Sequence, residues 1–214
     1  MVWSRRDWLS HCSVLGLSLP AGRAGAAPGT RTILIVGDSL SAEYGLKRGS
    51  GWVALLEQRL QRERTVATLV NASISGDTTS GGRSRLPELL RLHQPTHVLI
   101  ELGGNDALRG LPLDLTRGNL IEMARAAAAS GAKVMLLGMQ VPPNYGRKYS
   151  DDFAKLFADV AKQQRAALVP FLLKGVADGP RATAMFQADR IHPTEEAQPL
   201  MLDNVWPVLK PLLK

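Results

Sequence analysis

From Thr32 onward, short runs that are apolar at consecutive positions alternate with stretches that are apolar only every third or fourth residue. Thr32 to Gly37 (TILIVG) is the first continuous run, followed by Val66 to Val70, Thr96 to Leu102, Ala132 to Met139 and the short Leu168 to Phe171. Runs of this length, rich in β-branched residues and apolar on both parities, predict strands buried on both faces, as in a parallel sheet covered by helices. The intervening stretches predict helices with one apolar face. Trp52, Leu55, Leu56 and Leu60 share one face, as do Leu86, Leu89, Leu90 and His93. Leu120, Met123, Ala124 and Ala127 keep the same spacing and stop at Ser130-Gly131, a helix C-terminal signal. Ser150, Asp151 and Asp152 are expected to open the next helix, whose face is Phe153, Leu156, Phe157 and Val160. A last helix carries Ala197, Leu200, Met201, Val205 and Val208, with Pro193 suited to its first turn. Repeated strand-then-helix units imply a three-layer α/β/α fold, with ligands bound at the carboxyl ends of the strands.

That rule directs the search for chemistry to four segments. Gly37-Asp38-Ser39-Leu40 follows the first strand, Ser75-Gly76-Asp77 the second, and Gly103-Gly104-Asn105-Asp106 the third; Asp189-Arg190-Ile191-His192 precedes the last helix. Acyl transfer requires a nucleophile, a base, a group that orients the base, and donors for an oxyanion. Ser39 is the candidate nucleophile and His192 the candidate base. Asp189, three residues earlier, can reach one imidazole nitrogen across a turn and leave the other for the serine proton. Gly76 lets a carbonyl oxygen approach its backbone N–H, and Asn105 offers a side-chain amide on a glycine-rich loop. Each segment has a plain reading alone: a turn serine, a loop, an Asx turn. Their joint order around one sheet edge points to an active site.

Those four blocks, with Asn71 to Thr78, Glu101 to Gly110 and Pro143 to Tyr149, resemble the SGNH (GDSL) hydrolase family over essentially all of the chain from Arg31. The likeness is close to its branch of bacterial thioesterases, lysophospholipases and arylesterases. The resemblance implies a flavodoxin-like parallel sheet of about five strands and a Ser39-His192-Asp189 triad. It also implies an oxyanion hole from the Ser39 and Gly76 N–H groups and the Asn105 side chain. No cofactor or metal is implied, and the substrate is a small or lipid-like ester. Tyr44, Leu108 and Tyr145, in expected loops, are read as substrate-binding. Glu43 stands where relatives often carry a small residue, which is expected to alter the pocket or its charge. No Gly-x-Ser-x-Gly elbow is present, which argues against the α/β-hydrolase fold.

Composition refines the class. The 214 residues are 45% hydrophobic and 21% charged, ordinary for a globular protein. A net charge of +7 comes from scattered Lys and Arg, without a basic arm or nucleic-acid motif, so no nucleic-acid partner is expected. The single cysteine excludes an intrachain disulfide and a cysteine-rich zinc site. Residues 1–26 read as an export signal of twin-arginine type: Arg5-Arg6, the modestly apolar Trp8 to Leu19, then Ala24-Gly25-Ala26. The apolar stretch is too short and too interrupted to be a transmembrane segment. Cleavage after Ala26 would remove three Arg, one Asp and the only cysteine, leaving +5 and a single hydrolase domain over 27–214. A periplasmic or secreted monomer is the expectation. Two rival functions remain in view. A carbohydrate acetylesterase would want more than 5% aromatics for stacking, and a non-catalytic binding module would lack one of the four blocks.

Overall fold

The computed structural model of the chain describes residues 31–214. The segment read as an export signal lies outside the described residues. Five strands form one parallel sheet: β1 (Arg31–Gly37), β2 (Ala67–Asn71), β3 (His97–Glu101), β4 (Lys133–Leu137) and β5 (Ala167–Val169). Their order across the sheet is β2-β1-β3-β4-β5. Because the chain steps outward to β2 and then returns to the far side of β1, the order reverses between β1 and β3. In doubly wound folds a crevice opens at that point, beyond the carboxyl ends of the strands. The flavodoxin-like expectation of about five strands is met.

Among the described residues six α-helices flank the sheet: α1 (Trp52–Arg62), α2 (Thr79–His93), α3 (Gly104–Leu108), α4 (Leu113–Ala129), α5 (Arg147–Gln164) and α6 (Gln198–Leu212). Helix α4 packs between α2 and α5 on one face, while α1 packs on α6 on the other. The apolar faces read from the sequence do enter the core: Trp52, Leu56, Leu120, Met123, Phe153, Leu156 and Val205 are all inaccessible or nearly so. The tryptophans at 52 and 206 are core residues as expected. His93 ends α2, half-buried, and His97 opens β3, where its ring bonds the Leu212 carbonyl (2.9 Å).

Five local expectations are corrected. Helix α5 starts at Arg147 rather than Ser150. Gly146, at φ 88°, separates the Pro143–Tyr145 turn from the helix and places its carbonyl to accept from both the N–H and the hydroxyl of Ser150 (3.0 Å each), so Ser150 completes the first turn instead of capping it. Pro193 is not in the first turn of the last helix; it pairs with Phe186 in an antiparallel bridge, and Pro199 occupies the helical start instead. Leu200 faces outward from α6. Strand β5 stops at Val169, since Pro170 has no N–H to continue a ladder. Strand β2, at the sheet's edge, is only partly covered.

Candidate active site

Beyond Gly37 the backbone turns sharply, with the Ser41 and Ala42 N–H groups both bonding the Asp38 carbonyl (3.2 and 3.0 Å). Ser39 is thereby carried out at the carboxyl edge of β1, beside the switch point. The third block is not a free loop: Gly104 to Leu108 form the short helix α3, and Asn105 lies in its first turn directly after β3. Gly103 bends into that turn at φ 122°, a conformation side chains avoid, and a Cβ there would meet the Phe157 ring at 3.1 Å. Gly76, at φ 78°, performs the equivalent bend after β2.

His192 comes from the far end of the chain. Residues 186–193 form a closed loop, fastened by the Phe186–Pro193 bridge and by Gln187 N–H bonding the His192 carbonyl (2.8 Å). Inside it, Asp189 has two tasks. Its Oδ1 accepts from the Ile191 and His192 N–H groups (2.9 and 3.0 Å), and its Oδ2 accepts from His192 Nδ1 (2.7 Å). The Asx turn and the acid–imidazole pair are therefore the same side chain. Bonds from the His192 backbone, then its ring, then the Ile191 backbone hold the Asp189 carboxyl down to about 2. With Nδ1 facing a carboxylate, the imidazole carries its proton there. Nε2, 2.9 Å from Ser39 Oγ, is left as the acceptor for the hydroxyl proton. A serine, a histidine and an aspartate from positions 39, 192 and 189 are thus aligned as a proton-transfer row.

The three donors read from the sequence differ in how they are engaged. Among the described residues, neither the Ser39 nor the Gly76 N–H has a protein acceptor. Asn105 differs: its amide donates to Asp38 Oδ2 and to the Asp77 carbonyl, both at 2.9 Å. An oxyanion recruiting Asn105 must share or displace one of these.

Of the residues read as substrate-binding, Tyr44 lies against the imidazole, its ring centroid 4.2 Å from that of His192, and is half exposed. Leu108 ends α3, also half exposed, one turn from Asn105. Tyr145 lines an open cleft of about 500 Å³ with Arg147, Tyr149 and Asp152. It stacks on Tyr149 (5.9 Å), which continues through Phe153 and Phe157 to Gly103. A separate cleft of about 320 Å³, lined by Arg31, Glu63, Trp206 and Lys214, lies at the opposite edge of the sheet. Glu43 does not project its charge toward the serine. Its carboxylate accepts from the Gly49 and Gly51 N–H groups, pinning the loop that leads into α1.

Several residues at the site escaped the sequence reading. Gln187 bridges the two halves, its amide donating to the Tyr44 and Pro193 carbonyls (2.9 and 3.1 Å). Arg109 holds the Gly76 carbonyl (2.7 Å). Arg85 pairs with Asp77 (2.8 Å), fixing the second block. Glu101, fully buried at the end of β3, bonds the Asp38 N–H and the Ser41 hydroxyl. Its one sequence signal was an acid inside an otherwise apolar strand.

Fold and site define a class: serine ester hydrolases on a flavodoxin-like three-layer scaffold. The sequence profile of the GDSL-like Lipase/Acylhydrolase family matches residues 35–199, and the chain belongs to that family. It is 52% identical over 205 residues to "Esterase TesA" of Pseudomonas aeruginosa, a match spanning 96% of this chain and 98% of that one. It is 41% identical over 203 residues to "Thioesterase 1/protease 1/lysophospholipase L1" of Escherichia coli K12, spanning 95% and 93%. A crystal structure of TesA superposes with a TM-score of 0.82 at 54% identity, covering 85% of this chain and 99% of that one. The protein is an ester hydrolase. No helix among the described residues is long and apolar enough to cross a membrane.

Proposed function

We propose that Ser39, His192 and Asp189 hydrolyse acyl esters and thioesters, aryl esters and lysophospholipids among them, through an acyl-enzyme on Ser39. The observation that carries this reading is the row of 2.9 and 2.7 Å contacts from Ser39 Oγ through His192 to Asp189, beside two unoccupied backbone donors. Ser39 Oγ attacks the acyl carbon while His192 Nε2 takes its proton. The tetrahedral oxyanion is met by the Ser39 and Gly76 N–H groups and by Asn105. Collapse expels the alcohol or thiol with the proton held by His192. Water then repeats the sequence against the acyl-enzyme and frees the acid. Asp189, ionised over the whole working range, stabilises the imidazolium formed in each half.

Tyr44, against the imidazole, and Leu108, at the end of α3, are both half exposed and receive the acyl or aryl portion. The Tyr145 cleft takes what extends further. The relatives' names favour acyl chains over acetylated sugars. The reading takes a small or lipid-like ester as substrate, acted on by a monomer without a nucleic-acid partner. Export to the periplasm or medium fits the N-terminal segment.

Replacing Ser39 with Ala is the decisive experiment, read on p-nitrophenyl esters of graded length, acyl-CoAs, lysophospholipids and acetylated sugars. Turnover on every ester is expected to fall by about 10⁶-fold, as when a triad nucleophile is removed. Substantial residual turnover refutes the mechanism, and a preference for acetylated sugars refutes the substrate class. Cell fractionation that finds the intact N-terminus in the cytosol refutes export.

A further inference from the structure

Glu101 stands out among the buried groups because nothing neutralises it. It is the last residue of β3, in register with Gly37 of β1, and it is 0% exposed. Its Oε2 accepts from the Asp38 N–H (3.1 Å) and the Ser41 hydroxyl (2.8 Å). Gly37 makes room for that, since a Cβ there would lie 2.8 Å from the same oxygen. Its other oxygen, Oε1, is buried without a partner that donates to it. Beside it lies a second buried acid, Asp38, 3% exposed and immediately before Ser39. Asp38 Oδ1 accepts from the Leu40 N–H (3.0 Å), and Oδ2 accepts from Asn105 (2.9 Å).

The two acids are tied by the Asp38 N–H bond to Glu101 Oε2 and feel each other's charge, and among the described residues no salt bridge reaches either of them. Arg85 is spent on Asp77 and on the Gly37 and Ala72 carbonyls, and Arg109 on the Gly76 carbonyl. Asp106, on α3, is turned away to Thr79 and Thr116. Among the described residues, His192 is the one ionisable base whose charge Asp38 feels. Two adjacent carboxylates without a cation cannot both stay ionised in a site that excludes water. Burial raises both groups, Asp38 to about 6 and Glu101 well above the usual carboxylate range, the latter further lifted by the Asp38 charge.

We propose that Glu101 and Asp38 share one proton behind Ser39: Glu101 is a neutral acid donating through Oε1 to the Asp38 carboxylate, and Asp38 is the anion that positions Leu40 and the Asn105 amide. A proton on Oε1 gives that oxygen the partner it otherwise lacks, and leaves Oε2 as the carbonyl-like acceptor for Asp38 N–H and Ser41. Glu101 touches no substrate; it is a positioning residue, acting through Asp38 and the nucleophile turn. It fixes the Ser39 N–H and keeps Asn105 aimed at the donor site. The proposal rests on Ser39 and Asn105 having the roles given above, but its first test does not.

Infrared spectra of the full protein in D₂O at neutral pH are expected to contain a protonated-carboxyl C=O band. That band should be absent from Glu101→Gln and unchanged in Ser39→Ala. A wild-type spectrum without the band, or a band that survives Glu101→Gln, overturns the shared proton whatever Ser39 does. Glutamine reproduces both the acceptor and the donor of a neutral glutamic acid. Glu101→Gln is therefore expected to keep kcat within about threefold of wild type, while Glu101→Ala loses about 100-fold with KM little changed, the scale of a lost oxyanion donor. Equal losses in the two variants overturn the positioning role. Should the alanine variant fail to fold, the infrared comparison decides alone.

Discussion

Converting Asp189 to Asn separates the two tasks of one side chain, and its hydrogen bonds decide which task survives. An asparagine here has two orientations. With its oxygen at the Oδ1 position it keeps the bonds from the Ile191 and His192 N–H groups, and its NH₂ faces His192 Nδ1. Flipped, it accepts from Nδ1–H but points its own N–H groups at two backbone donors. At about 1 kcal/mol per part-exposed bond, the first orientation wins by about 2 kcal/mol, or about 30-fold. An amide donating to Nδ1 forces the imidazole proton onto Nε2, where it faces Ser39 Oγ and the ring can no longer accept. Loss of the carboxylate beside the imidazolium removes a further charge-assisted bond, about 1.5–3 kcal/mol or roughly 100-fold. Together, kcat on a p-nitrophenyl ester is expected to fall by about 10³- to 10⁴-fold with KM little altered, while thermal unfolding of Asp189→Asn stays within about 2 °C of wild type. Asp189→Ala loses the loop bonds as well, and its Tm is expected to drop by about 4–8 °C. An Asp189→Asn enzyme within tenfold of wild-type kcat would show that the aspartate serves only its turn.

Gln187→Ala removes both bonds that tie the histidine loop to the Tyr44 turn. A loss of about 1–3 kcal/mol in denaturant unfolding and a lower kcat are expected, whereas unchanged kinetics would show that the two loops hold their alignment without it. Gly103→Ala forces a side chain into φ 122° against Phe157 and is expected to cost about 1–3 kcal/mol or more and to displace Asn105; wild-type stability and activity would contradict the strain argument. Burial holds the folded-state pKa of His97 below its usual 6.5, so the unfolded chain binds the extra proton first. Stability from this residue is therefore present above pH about 6.5 and is lost as pH falls toward the lower folded value. Denaturant titrations of wild type and His97→Gln at pH 7 and 5 should show a shallower acid loss in the variant, and parallel losses would exclude His97 as the cause.

What the sequence disclosed and what it hid divide along a physical line. The strands were legible because β1, β3 and β4 are buried on both faces and so tolerate almost nothing but apolar residues. Their ends were less so. Pro170, not hydrophobicity, stops β5, and α5 begins at Arg147, after the Gly146 bend and before the expected cap. The positions of Ser39, Gly76 and Asn105 were readable because each stands where the chain leaves the sheet's carboxyl edge, a place the topology marks in advance. Glu43 misled for the opposite reason: its position beside the serine suggested the pocket, yet its carboxylate is consumed by backbone N–H groups six and eight residues on. Gln187 lies outside the quoted blocks and Glu101 only opens one of them, and they act across 143 and 63 residues of chain. Glu101 could only look like a flaw in an apolar strand until β1 was laid in register beside it. A buried acid at the end of a central strand, opposite a glycine and one residue from a nucleophile turn, is then a pattern that can be sought in other parallel sheets. Its meaning lies in the pairing between strands, which periodicity along one strand does not contain.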